Sequence, residues 1–278
     1  MDDLFPDIHA AALPPLGENI YVGTSGFMFA DWRGTVYPAH LSDHETLPYY
    51  LNVFAFNALE LNFTFYTAPS PRLLEPFVQR TPPAYQIAVK AFKGITHARP
   101  DDVTPGDFAA CRDTLAPARD AGKLAAVLLQ FPYAFHNTEG NRVYLKRCRA
   151  ELPDDPLAIE FRHKSWASDE TDALLKAEGL ACCAVDEPAL EGLVPLRTAV
   201  TAPLGYARFH GRNPAWFSAG EKERYNYLYS DDELRDFVRR VRQMAKNVKK
   251  MLVFFNNCYM GKAIRNALRF RELLHESV

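Results

Sequence analysis

Ten polar side chains recur at or near the ends of short apolar runs: Glu60 and Asn62, Lys90, Gln130, Glu160 and Arg162, Asp186, Arg208 and His210, and Asn256. Three of them, Glu60, Glu160 and Asp186, are carboxylates that could act in pairs as general acid and base. His210 brings the side chain whose ordinary pKa suits proton transfer near neutrality. His210 and Asp186, nearest the ends of their runs, are the first acid/base candidates, with Glu160 and Glu60 behind them. Lys90, Arg162 and the following Arg212 are cations, and an arginine can clamp phosphate or carboxylate through two parallel hydrogen bonds. Gln130 adds a neutral hydrogen-bonding group that could orient the same ligand. A competing reading makes Glu60, Glu160 and Arg208 an internal ion-pair network, because buried charge is tolerated when it is paired.

Asn256 and Asn257 precede a helical stretch with Gly261 in its first turn, and free N–H groups at a helix start attract anions. The turn from Gly23 to Gly26 adds a second small-residue loop. Long segments at 27–37, 92–102 and 211–229 carry Phe27, Phe29, Trp32, Phe92, Trp216, Tyr225, Tyr227 and Tyr229. Such an aromatic rim suits ligands with flat faces, and Phe27, Trp32 and Trp216 are expected to pack on the ligand. Metal ligands could be drawn from His97, His163, His210, Glu60, Glu160 and Asp186. No H-E-x-x-H or other tight spacing occurs, so no metal and no cofactor is expected.

Positioning these groups requires eight strands, read at 20–23, 58–62, 86–90, 125–130, 157–162, 181–186, 205–210 and 251–256. Side chains alternate across a strand. Bulky residues take one parity, as in Leu59, Leu61 and Phe63, and the polar set takes the other. Between the strands lie helical patterns at 46–56, 71–79, 107–121, 137–151, 168–178, 230–248 and 259–275. Ser70 and Ser168 are read as helix caps, and Ser230 with Glu233 as a capping box. The interval 187–204 holds prolines and little helix signal, so the sixth helix is expected to be irregular or very short. Regular alternation of strand and helix predicts a single (β/α)8 barrel of the α/β class, with its active end at the strand C-termini. Residues 1–18 read as an N-terminal arm and 19–278 as the barrel domain.

The 278 residues carry a net charge of −2, which argues against a protein coated in positive charge for general nucleic-acid binding. The five cysteines show no C-x-x-C spacing and fit a reducing cytoplasm. Cys182 and Cys183 read as small core residues. No apolar stretch is long enough for a membrane span. Segment 231–275 is rich in Lys and Arg, and Arg235, Arg239, Arg242 and Lys246 form a stripe along one helix. Such a stripe is read first as a solvated outer face, and second as a track for phosphates.

The ordered motifs resemble the YecE-like TIM barrels, known as domain of unknown function seventy-two. The matching stretches include Gly23-Thr24-Ser25-Gly26, Asp31-Trp32-Arg33-Gly34, Leu59-Glu60-Leu61-Asn62, Leu129-Gln130-Phe131-Pro132 and Glu160-Phe161-Arg162-His163-Lys164-Ser165-Trp166. Further matches are Arg208-Phe209-His210-Gly211-Arg212 and Phe255-Asn256-Asn257. The similarity runs from about residue 21 to 274. It departs at Phe27, where the family usually has Trp, at Phe63, and at Cys258, where an acid or histidine is frequent. The resemblance implies the barrel fold, and its likeness to endonuclease IV-like barrels implies DNA binding as one activity.

The expected function is binding of an anionic small-molecule or oligomeric ligand, phosphate-bearing, with its hydrolysis as a further expectation. Arg162, Arg212 and the Asn256–Asn257 turn would hold the anion. A glycoside hydrolase and a nucleic-acid-binding barrel are the alternatives. The oligomeric state is left open.

Overall fold

The computed structural model describes residues 19–220 and 222–276. The expected arm over 1–18 lies outside the described residues. Eight parallel strands follow one another around a single sheet: β1 (Ile20–Thr24), β2 (Ala58–Leu61), β3 (Gln86–Lys90), β4 (Leu124–Gln130), β5 (Leu157–Glu160), β6 (Ala181–Asp186), β7 (Leu204–Phe209) and β8 (Lys250–Phe255). The helices are α1 (Asp43–Val53), α2 (Glu75–Arg80), α3 (Lys93–Thr96), α4 (Pro105–Asp120), α5 (Glu139–Glu151), α6 (Asp169–Ala177), α7 (Asp231–Ala245) and α8 (Lys262–Glu276). The fold is the expected (β/α)8 barrel.

Helix starts follow their caps. Ser42 with Glu45 and Thr104 with Asp107 form capping boxes, and the Thr138 hydroxyl accepts from the Asn141 N–H. The helices read at 46, 107 and 137 therefore begin at Asp43, Pro105 and Glu139 instead. Ser168 and the Ser230–Glu233 box cap α6 and α7 as expected. Ser70 does not cap: the stretch at 71–79 divides into a 3₁₀ turn (Pro71–Leu73) and α2, and its hydroxyl makes no capping bond. Met260 and Gly261 both have positive φ, 49° and 76°, so α8 starts at Lys262 rather than 259. At Gly261 a Cβ would lie 2.3 Å from a Val36 methyl, so a side chain is excluded by sterics as well as by φ.

The barrel interior is filled by Ala58, Ala88, Ala126, Ala158, Ala181 and Cys183 on one side, and by Leu204, Tyr206, Leu252 and Phe254 on the other. Bulky residues of opposite parity, such as Leu59, Ile87, Ile159, Phe209 and Phe255, pack outward under the helices. The ladder is continuous from β1 through β8 and back down to β2, but β1 and β2 meet differently. They share one bridge, Ser25 with Glu60, where the Gly26 N–H donates to the Glu60 carbonyl at 2.8 Å. Below it the Asn57 side chain accepts from the Val22 N–H and donates to the Ile20 carbonyl. Gly23 stands where a Cβ would lie 2.0 Å from the Ala58 carbonyl oxygen, so the seam closes only without a side chain there.

After β6 no helix forms. The chain folds back along the end of β5, with an antiparallel bridge between His163 and Leu193 and a bond from the Val194 N–H to the Arg162 carbonyl. This is the irregular connection expected at 187–204. Among the described residues no helix is long and apolar enough to cross a membrane.

Candidate functional site

At the C-terminal end of the barrel a cavity of about 330 Å³ opens above the apolar plug. Inward parity delivers its walls strand by strand: Ser25 after β1, Asn62 after β2, Lys90 on β3, Gln130 on β4, Arg162 after β5, Arg208 on β7 and Asn256 after β8. Loops complete it with Phe29, Asp31, Tyr66, Lys222, Tyr225, Cys258 and Tyr259.

The floor is an ion-pair network. Arg208, buried to 1% exposure, donates to Glu160 at 2.6 Å and to Glu60 at 2.7 Å. The Tyr206 hydroxyl, reaching across from β7, donates to the second oxygen of Glu60. Arg162 bonds Glu160 at 2.7 Å and Glu187 at 2.6 Å. Burial alone would raise the Glu160 carboxyl, but the guanidiniums of Arg162 and Arg208, with His210, hold it well below the usual carboxylate range. The same carboxylates, outweighing burial, raise both arginines. Burial pushes Glu187 up to about 7 against the pull of Arg162. Glu60 and Glu160 stand behind their arginines and do not line the cavity. The ion-pair reading of these residues is therefore the arrangement found. Locked as acceptors, they are poorly placed for the acid/base work expected of them.

His210 is fully buried and also stands outside the lining. Asn256 donates to its Nδ1 at 2.7 Å, and its Nε2 lies 3.2 Å from Glu160. Burial and the neighbouring Arg162 lower its pKa to about 3, so it is a neutral spacer in the network. It holds Asn256 and Glu160 in place, and an acid/base role would need it nearer the ligand.

Asp186 corrects the parity count. On β6 the inward residues are Ala181, Cys183 and Val185, while Ala184 packs in the outer layer. Asp186 therefore faces the helices. It accepts a fork from Arg212, at 3.0 and 2.7 Å, and a bond from the Tyr229 hydroxyl at 2.7 Å. Arg212 also reaches Glu233 at 2.9 Å, so it is spent on the outer layer and not on the cavity. The inward group after β6 is Glu187, one residue later. Counting two from Val185 would have found it.

The expected anion seat before the last helix is also filled from within. Asn257 donates to the Tyr227 carbonyl and to Asn266. The Met260 N–H donates to Asp31 at 2.7 Å, so a carboxylate of the chain itself takes that position. Trp32 is fully buried, with its Nε1–H donating to the Cys258 carbonyl at 2.6 Å, and Phe27 packs on Tyr50 and Phe77. Both support loops; neither lines the cavity. Trp216 is buried one layer back, against Arg162 and Tyr225. The lining aromatics are Phe29, Tyr66, Tyr225 and Tyr259. Asp31, Lys222 and Ser25 also line it, and loop packing rather than any strand pattern places the first two. Among the described residues no cluster of three or more His, Cys, Asp or Glu could hold a metal ion.

Comparison with known proteins gives one consistent answer. Residues 21–278 match the family model described as protein of unknown function DUF72. The UPF0759 protein YunF of Bacillus subtilis is 35% identical over 271 residues, covering 92% of this chain and 94% of that protein. A crystal structure of a DUF72 family protein from Thermotoga maritima superposes with a TM-score of 0.86 at 41% identity, covering 93% of this chain and 100% of the other. Another, from Enterococcus faecalis, gives 0.82 at 28% identity over 92% of this chain and 95% of that one.

Proposed function

The chain belongs to the family described as protein of unknown function DUF72, and within it we propose that this protein binds a small anionic ligand, bearing phosphate or carboxylate, at the mouth of its barrel. One observation carries the reading. Among the described residues the cavity walls present four basic side chains, Lys90, Arg162, Arg208 and Lys222, against one carboxylate, Asp31. That carboxylate is already engaged by the Met260 N–H, and the acids that balance the arginines lie behind them. A ligand entering from solvent meets donors first. A volume of about 330 Å³ suits a small molecule rather than a folded partner. The five cysteines, none joined to another, fit the reducing cytoplasm expected for it.

The test is thermal. Phosphate or sulfate should raise the melting temperature of the wild type, and raise it less in Arg162→Ala and Lys222→Ala. Arg212→Ala should keep the full shift, because Arg212 serves Asp186 and Glu233 on the helix side. Equal shifts in all four proteins at matched ionic strength would remove the cavity as the anion site.

A further inference from the structure

Lys90 is the strand-borne cation of this site that the ion-pair network leaves out. It closes β3 on the inward side, and its amine lies 4.0 Å from the centre of the Phe65 ring. Among the described residues that amine makes no ion pair and no hydrogen bond, because the nearby acids are committed elsewhere: Glu60 to Arg208, Glu160 to Arg208 and Arg162, and Glu187 to Arg162. Its backbone is pinned from the turn after β2, where the Thr64 hydroxyl donates to the Lys90 carbonyl at 2.6 Å. The amine is thus aimed into the cavity from a rigid strand end, with an aromatic face on one side. Arg208 from β7, Arg162 and Glu160 from β5 and its end, and Glu60 from β2 are the charged groups around it. Burial, then Arg208 and Arg162, outweigh the two acids and lower its pKa to about 7. Near neutral pH a large share of the molecules therefore carries the free base, the nucleophilic form.

From this placement we propose that Lys90 is a catalytic nucleophile that forms an imine with the aldehyde or ketone carbon of a small ligand bearing a phosphate or carboxylate. The ligand's charged group rests on the anion-binding reading above; the covalent step rests on Lys90. The nitrogen lone pair attacks the carbonyl carbon, a C–N bond forms, and the C=O π pair moves onto oxygen. Nitrogen gives up one proton and oxygen takes one, giving a carbinolamine. The nitrogen lone pair then expels that oxygen, with one further proton from solvent, as water. Amine, carbonyl and one proton enter; a protonated imine and water leave. No oxidant or reductant is required. Arg162 and Arg208 line the same cavity, where their guanidiniums can meet the charge that grows on oxygen. The protonated imine is an electron sink, so the reaction class is cleavage or formation of a bond to the adjacent carbon.

The experiment is reductive trapping with borohydride, read by intact mass and peptide mapping. The probes are pyruvate, which has a carbonyl and an anion, and acetone, which has a carbonyl only. Pyruvate should add one reduced adduct, mapped to Lys90, at concentrations at least tenfold below those acetone needs, and Lys90→Met should lose it. Adducts scattered over surface lysines, undiminished in Lys90→Met, would overturn the proposal, as would no adduct with either probe even where phosphate still raises the melting temperature. In that last case the anion reading survives and the covalent step falls. Labelling of Lys90 by acetone as readily as by pyruvate would keep the imine and remove the anion from the substrate class. Peptide mapping on the wild type gives the answer whether or not Lys90→Met folds.

Discussion

A lysine without a carboxylate is a burden on the fold, and Lys90 makes that burden measurable. Its pKa falls from the ordinary 10.5 to about 7 in the folded protein. The unfolded chain then binds the extra proton between those values, so the handicap is full below pH 7 and fades as pH rises toward 10.5. At pH 7 it is on the order of 4 kcal/mol. Lys90→Met should therefore raise stability at neutral pH, with the gap to wild type closing by about 1.4 kcal/mol per unit between pH 8 and 10. Denaturant unfolding across that range is the check. A variant less stable than wild type at pH 7 would show that the charged amine has a native partner after all. Arg208 is the opposite case, a cation holding two acids at the barrel axis. The contrast was half legible in the sequence. Alternation put both side chains inside the barrel, but how the acids are shared among the cations depends on Glu187, and ending the inward count of β6 on Asp186 rather than Val185 hid that residue.

At the scale of elements, strand positions were the most readable part of the chain, because an alternating stretch fixes both the strand and its inner face. Helix starts were read late wherever the apolar stripe was followed instead of the cap, as at Ser42 and Thr104. The aromatic rim was the least readable. Trp32 and Phe27 have the composition of a binding loop, yet their surroundings turn them into supports beneath it. The β1–β2 seam carries a prediction of its own. Gly23→Ala forces a methyl against the Ala58 carbonyl, 2.0 Å away, and should destabilise by about 3 kcal/mol. Gly140→Ala, in α5 with open space around it, should be neutral or stabilise by about 0.5 kcal/mol. Urea midpoints for the pair decide it: a Gly23→Ala midpoint equal to wild type would mean the seam is looser than described.

For the whole molecule the net charge is −2, and part of the basic stripe on α7 is paired with acids beside it. Arg239 and Arg240 bond Asp236, Arg235 meets Glu276, and Arg269 on α8 gathers Asp231, Glu272 and Glu276. These pairs and the net negative charge leave less positive charge to release counterions. A labelled DNA duplex at about 50 mM salt should show no saturable binding, since backbone contacts are what make such binding strong at low salt. Saturable binding that weakens steeply with salt would restore the nucleic-acid reading. The seam has one more consequence, in the order of synthesis. β1 leaves the ribosome before the other strands, yet its full ladder is with β8, the last of them, and its backbone pairing toward β2 is a single bridge. A nascent chain can complete β2 through β7 while its first strand still waits, an exposed edge looking for a partner. Anything that slows translation between β7 and β8 prolongs that wait, so the yield of this barrel in a cell should depend on how quickly that stretch is read.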